Sequence, residues 1–286
     1  MRFFGSLTPF RAALPEVDVP FVAAAAHLCA LGAESGTTLR WAPPAAVALS
    51  GAAAHGAAGP PAALLADVAV RLPASCLREK DYLDCRYHAR RCLYLARIAK
   101  ALAATVPAPE WGALCDDPRK AVLIIAAPPA PGLPRGARLR LLPCCAPDAF
   151  PAARLAPARG NLRAAGGAAT PSPAYNAGIS EDCAAEAHNE AMAAAAAAAP
   201  AFGAALVLLK AWARRRGMLG APDGASGCLL GAACAALLSR GVLVGAMSPF
   251  QMFREALRAL GDVALLRRGG LQVGAAAPAP EAAVAP

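Results

Sequence analysis

The ten cysteines of this 286-residue chain include no Cys-x-x-Cys pair, and its four histidines, His27, His55, His88 and His188, gather around none of them. Structural zinc takes four such ligands at short paired spacings, so a zinc site is not expected. The one close pair is vicinal, Cys144–Cys145. The start, MRFFGSLTPFRAALPEV, lacks the continuous apolar core of a secretory signal, so neither a signal nor a disulfide framework is expected. The cysteines then read as small hydrophobes in a reducing compartment. Ala191–Leu209 is uncharged over 19 residues, nominally a membrane-spanning length. Yet Ala193–Ala199 is polyalanine, Pro200 and Gly203 follow, and strongly apolar residues come only at the end, so no membrane partner is expected.

Charge is scarce as well, at 16% of residues against 57% apolar, although alanine inflates the second figure. It is also unevenly placed. Residues 71–163 hold 16 Lys/Arg and 7 Asp/Glu, which accounts for the whole net charge of +9; from 166 onward the balance is 9 to 8. A basic first half fits a polyanion partner, most simply nucleic acid, although solubility would favour the same excess. The length allows one large or two medium domains, each with its own core.

Residues 1–45 read as helical material ending at Ala42-Pro43-Pro44. AVALSGAAAHG (Ala46–Gly56) is an apolar run broken by Ser50-Gly51, a strand and then a turn. LLADVAVRLP (Leu64–Pro73) reads as a buried strand around one carboxylate, Asp67. Ser75–Leu102 reads as the strongest helix, with Leu83, Tyr87, Tyr94 and Ile98 on one flank. Arg86, Arg90, Arg97 and Lys100 fall on it within about 80° of arc, at 100° per residue. Such a stripe is either a solvated face or a surface for phosphates. Asp116–Pro128 and Ala137–Cys145 read as two more strands, the second alternating with Arg138 and Arg140 on one face. From 146 to 178 the chain is Pro-, Gly- and Ala-rich and reads as an irregular connector.

Helices are expected at Ile179–Ala199, Ala201–Arg216 and Cys228–Leu238, the last with Gly231 and Ala232 small enough for close packing. Arg214-Arg215-Arg216-Gly217 closes the second, and the helix dipole accounts for these cations more cheaply than a phosphate site does. Ser248-Pro249-Phe250-Gln251 sets up a capping box. Phe250, Phe253, Leu257 and Leu260 then read as a core stripe stopped by Gly261. The fold class is α+β: one domain at 1–165, a helical domain at 171–268 and a low-complexity tail at 269–286.

An acid inside so apolar a run as Leu64–Pro73 is costly unless something pairs with it. The order of elements resembles the nucleotidyltransferase superfamily of poly(A) polymerases: a Ser-Gly turn, a strand bearing an acid, a helix, two strands and a helical module. That resemblance implies a nucleotidyltransferase-like domain followed by an all-helical domain of the PAP/OAS substrate-binding type. Chemistry in that superfamily needs two metal ions. Two carboxylates two residues apart on one strand face and a third from a later strand hold them, and a Gly-Ser turn lies against the triphosphate. Here the turn is Ser50-Gly51, in reversed order, and Asp67 matches the first carboxylate. Ala69 stands at the second, and the later strand offers Arg138 and Arg140 with no acid from Ala137 to Leu142. One carboxylate of three cannot hold two magnesium ions. No metal, cofactor or catalytic residue is therefore expected, and Asp67, Ser50 and Gly51 read as vestigial. Hydrogen bonding to the turn or to a nearby arginine would keep Asp67 in place.

The block ADVAVRLPASCLREKDYLDCRYHARRCLYLARIA (Ala66–Ala99) resembles the most characteristic segment of the Nrap family, the nucleolar RNA-associated proteins. DDPRKAVLII, RLRLLPCCAPDAF, PSPAYNAGISED, ALVLLKAWARRRG, ASGCLLGAACAALLSRG and MSPFQMFREALRAL are similar to its later blocks, in order. The first 40 residues match weakly, and aromatic positions in the third helix are Cys and Ala here. The resemblance implies a non-catalytic scaffold of the nucleolar small-subunit processome, acting in pre-rRNA processing and 40S ribosome biogenesis. Its implied partners are pre-rRNA or small nucleolar RNA and other processome proteins. Members are much longer and repeat the two-module unit, so this chain corresponds to the first such unit. Direct RNA contacts would fall to Arg86, Arg90, Arg97, Lys100, Arg138 and Arg140. Two alternatives stay open: an active nucleotidyltransferase drawing acids from Asp116 or Asp117, and a pure protein-interaction scaffold.

Overall fold

The computed structural model describes residues 18–19, 38–55, 64–103, 105–106, 109–129, 134–162, 170–219 and 224–262. Most of 1–45 and the whole tail at 269–286 lie outside them. The chain divides into two compact units, 1–53 with 58–186 and 54–57 with 187–286.

In the first unit, β1 (Asp18–Val19) pairs antiparallel with β2 (Leu39–Arg40). This corrects the helical expectation wherever that segment is described. The main sheet runs β3 (Ala46–Ser50), β4 (Leu65–Arg71), β7 (Arg138–Cys144), β6 (Asp117–Ala126), β5 (Glu110–Leu114), in that spatial order. Only the β4–β7 pair is parallel. Four of the five strands were legible as apolar or alternating runs; β5 was not. It joins β6 through a turn at Cys115 and Asp116, both at positive φ (52° and 57°). Hairpin turns of that geometry favour Asn-Gly or Asp-Gly, so Cys-Asp gives no sequence signal.

One turn of helix, α1 (Gly51–Ala54), follows β3, and the longer α2 spans Arg86–Leu102, eleven residues shorter than the expected Ser75–Leu102. A short turn at Ala74–Cys76 and a loop replace its start. Tertiary hydrogen bonds hold that loop. The Asp84 N–H donates to Asn161 O (2.8 Å), and the Cys85 N–H donates to the Tyr175 hydroxyl (3.0 Å). Both residues sit at positive φ. Helix α2 packs across β6 and β7, with Leu93, Leu95, Leu123 and Leu141 fully buried. Each contributes about 1.5–3 kcal/mol relative to exposure. Trp41 stacks on Tyr94 with ring centroids 4.4 Å apart, so the helix is covered on a second side too.

The helix α3 (Pro173–Cys183) begins within the segment expected to be irregular, with Pro173 in its first turn. It is held in the sheet unit by buried Tyr175, Asn176, Ile179, Asp182 and Cys183. Asn176 donates to the carbonyls of Ala156 and Arg159, both at 2.9 Å. The single helix expected at Ile179–Ala199 is therefore two, and α4 (Ala185–Ala198) starts after a break at Ala184.

The second unit is helical. Helix α5 (Phe202–Arg215) is followed by α6 (Gly227–Ser239), whose N-cap Ser226 hydroxyl accepts from the Leu229 N–H at 3.0 Å. A Cβ on Gly231 would lie 2.9 Å from Met192 Cε, so close packing does use that glycine. Helix α7 (Pro249–Leu260) carries the full capping box of Ser248 and Gln251. Its apolar stripe, however, is not the core. Met252 and Ala256 are the buried residues, and Phe250 is 64% exposed. Periodicity located the helix, but small and flexible residues fill its tightest contact. No single described helix is long and apolar enough to cross a membrane, and α4 and α5 meet at 117°.

Candidate functional site

The sheet brings four of the singled-out residues together, Ser50, Gly51, Asp67 and Arg140. Ser50 at the end of β3 lies opposite Asp67 on β4, and Asp67 lies opposite Arg140 on β7. Gly51 turns the chain at φ +64°, and a Cβ there would meet Asp67 Oδ2 at 3.0 Å. Glycine is needed on both counts, for the left-handed backbone and for the close approach. Arg140 Nε donates to Asp67 Oδ1 (2.7 Å) and its NH2 to Oδ2 (3.0 Å), a fork matched to a carboxylate. The two side chains are 26% and 20% exposed. Strand alternation puts Ala69, not an acid, next to Asp67 on the same face. Both carboxylate oxygens are thus taken by a guanidinium, and that is the arginine partner expected to keep Asp67. Among the described residues, no group of three or more His, Cys, Asp or Glu could hold a metal ion.

Asp116 and Asp117 lie at the β5–β6 turn rather than beside Asp67. Asp117 faces Leu114 of β5 while Ile124, the residue opposite Arg140, faces Glu110, so a register shift in β6 leaves about 13 Å of sheet between the two positions. Asp117 is engaged locally. Burial works to raise its pKa, but hydrogen bonds from the Arg119 side chain and backbone hold it below the usual carboxylate value.

The basic stripe on α2 does not survive as a surface. Arg90 is buried, ion-paired with Asp81 and bonded to Thr38 O at 3.1 Å. Arg97 is half-buried with its guanidinium 6.0 Å from the Trp41 ring centroid. Arg86 and Lys100 are exposed, at opposite ends of the helix and about 21 Å apart along its axis. Arg138 pairs with Glu110. Of the six cations assigned to RNA, five make contacts within the protein, Arg86 through a 3.9 Å pair with Asp84. Counting charge along a helix misses this, because burial is set by what packs on it.

Sequence reasoning also missed a buried polar cluster in the same unit. Asp182 on α3 accepts from the Tyr87 hydroxyl (3.0 Å) and lies 3.2 Å from Arg91 Nε and 3.5 Å from Lys120 Nζ. Arg91 also donates to the carbonyls of Pro143 and Ala121. Burial opposes the charge on Lys120, yet Asp182 and Glu181 together hold its pKa above the usual lysine value. His88, beside this cluster, is pushed down to about 3 by burial and stays neutral. The one sequence signal was Lys120 standing directly before the apolar run Ala121–Ile125.

These features define a class: an α+β protein whose mixed five-stranded sheet carries an arginine-locked acid beside a glycine turn, with a helical unit after it. Residues 10–198 match the family model described as Nrap protein domain 1, and the chain belongs to the Nrap family. It is 30% identical over 248 residues to "Nucleolar protein 6" of Homo sapiens, covering 80% of this chain and 21% of that protein. "Nucleolar protein 6" of Mus musculus is 32% identical over 212 residues, covering 71% and 18%. The Xenopus tropicalis protein of the same name is 30% identical over 217 residues. The chain spans about a fifth of the length of these relatives.

Proposed function

We propose that this chain is a non-catalytic, nucleotidyltransferase-like unit with a helical PAP/OAS-type unit after it, working in the nucleolus in ribosome biogenesis. Its role is that of a scaffold in the small-subunit processome during pre-rRNA processing. Pre-rRNA or small nucleolar RNA and other processome proteins are its partners. The nucleolar part of this reading draws on the family and on the names of the relatives. The non-catalytic part draws on one observation. Arg140 occupies both oxygens of Asp67, with Ala69 where the next carboxylate of a two-metal centre belongs. A cation already seated on the acid repels a divalent ion, and Asp117 is itself held by the Arg119 guanidinium.

Crosslinking in nucleolar extract tests the reading. The tagged chain should be recovered with pre-ribosomal particles and yield crosslinks to pre-rRNA. Recovery with particles but without RNA crosslinks would favour the pure protein-interaction scaffold. Failure to enter the particles would remove the processome role.

A further inference from the structure

The arginine triplet closing α5 places three consecutive cations at one helix end. Arg214, Arg215 and Arg216 are all exposed, and among the described residues none has a carboxylate partner. Arg254 and Arg258 on α7, by contrast, share Glu255. Nor do the triplet side chains cap their helix by hydrogen bonds. The last carbonyls of α5 are met by backbone groups instead: Arg216 N–H donates to Trp212 O and Ala213 O, Gly217 N–H to Arg214 O, and Met218 N–H to Ala213 O. The dipole explanation rewards a cation at this end but gives Arg214 and Arg215 no partner among the described residues. The Arg216 guanidinium lies 5.8 Å from the ring centroid of half-buried Trp212.

We infer that the C-terminal turn of α5 is a contact site for single-stranded RNA, with Arg214 and Arg215 on backbone phosphates and the Trp212–Arg216 pair as a stacking surface for a base. Consecutive helical residues point about 100° apart, so the guanidiniums fan around the helix end where a flexible strand can follow them. The guanidinium fork matches phosphate oxygens. Unpaired bases stack on aromatic rings and on arginine planes alike. An acidic peptide would satisfy the arginines but make no use of the ring, and choosing RNA over it rests on the proposed nucleolar reading. This site lies in the helical unit, whereas Arg86, Arg90, Arg97, Lys100, Arg138 and Arg140 belong to the sheet unit.

The test is fluorescence anisotropy of the 286-residue chain with a labelled single-stranded oligoribonucleotide over a series of salt concentrations. Arg214→Glu/Arg215→Glu should weaken binding about tenfold or more and flatten the slope of log affinity against log salt by about 1.4, at roughly 0.7 per lost phosphate contact. Trp212→Leu should weaken it roughly tenfold with the slope unchanged. Arg254→Glu/Arg258→Glu, the same charge change on the same unit, should leave both nearly unaltered. Wild-type binding by the first double variant, or equal weakening by the second, overturns the inference. So does absence of RNA binding by the wild type, or tighter binding of polyglutamate with the same arginine dependence. Circular dichroism melts accompany each variant, and Arg214→Gln/Arg215→Gln replaces the reversal if that variant melts early. Recovery with nucleolar particles is scored separately. Particles recovered while the arginine variants bind RNA normally would sink this inference alone. Arginine-dependent RNA binding without particle recovery would sink only the nucleolar reading.

Discussion

Asp67 and Asp182 each face an arginine within the same sheet unit, yet the two pairs hold very different things. Asp67 and Arg140 sit on adjacent strands whose backbone ladder already joins them, and their side chains keep a fifth to a quarter of their exposure. Asp182 and Arg91 are 9% and 1% exposed, and they tie α3 to α2 where no backbone ladder does so, with Lys120 of β6 alongside. Ion pairs near water contribute about 0–1 kcal/mol. Breaking a buried pair costs about 3–5 kcal/mol, because the partner left behind is a desolvated charge. The residue that draws attention in the sequence is therefore the energetically minor one, and the cluster that goes unnoticed is structural.

The contrast can be broken most directly at Asp182. Asp182→Ala should cost about 3–5 kcal/mol in urea unfolding, since Arg91 loses its anion and Lys120 one of two. A loss below about 1 kcal/mol would erase the distinction between the two pairs.

The next largest effect is a pH dependence carried by His88. Its folded pKa is depressed to about 3 by burial, with Arg91, Lys120 and Arg119 opposing the help of Asp182. The unfolded chain takes up that proton as pH falls below about 6.5, whereas the folded chain does not. Stability conferred by neutral His88 is therefore complete above pH 6.5 or so and drains away toward pH 3, by about 1.4 kcal/mol per unit. Between pH 6.5 and 5 the wild type should lose about 2 kcal/mol more than His88→Gln. Parallel pH profiles for the two proteins would show that His88 is not buried as described.

At the other pair, Arg140→Ala should cost about 1–2 kcal/mol by leaving Asp67 without its fork in an apolar strand. Asp67→Asn/Arg140→Gln should recover part of that loss. Of similar size, Gly51→Ala should cost about 1–2 kcal/mol through its left-handed backbone, and less in the Asp67→Ala background where the 3.0 Å approach is gone. Equal costs in both backgrounds would mean that the turn does not press on Asp67.

Much of this was legible in the sequence, and what failed did so for physical reasons. Apolar runs and strict alternation identified β3, β4, β6 and β7, and Ser248 with Gln251 identified the start of α7. For Asp67 the sequence left two partners open, the Ser50-Gly51 turn and a nearby arginine, and Arg140 forks onto its carboxylate. The loop before α2 was misread because Asp84 and Cys85 are fixed by bonds to residues 77 and 90 positions away, which no local pattern carries. The Asp182 cluster draws on α2, β6 and α3 together, so it exists only once those elements pack. Phe250 was misassigned because amphipathic spacing marks a helix face without saying which neighbour covers it.

An arginine locks the acid of this fold, and under the proposed function that acid does no metal-dependent chemistry. Incubating the chain with labelled nucleoside triphosphate, RNA and magnesium, with Asp67→Ala in parallel, tests this most directly. The account predicts no incorporation by either protein. Incorporation by the wild type that disappears in Asp67→Ala would contradict it.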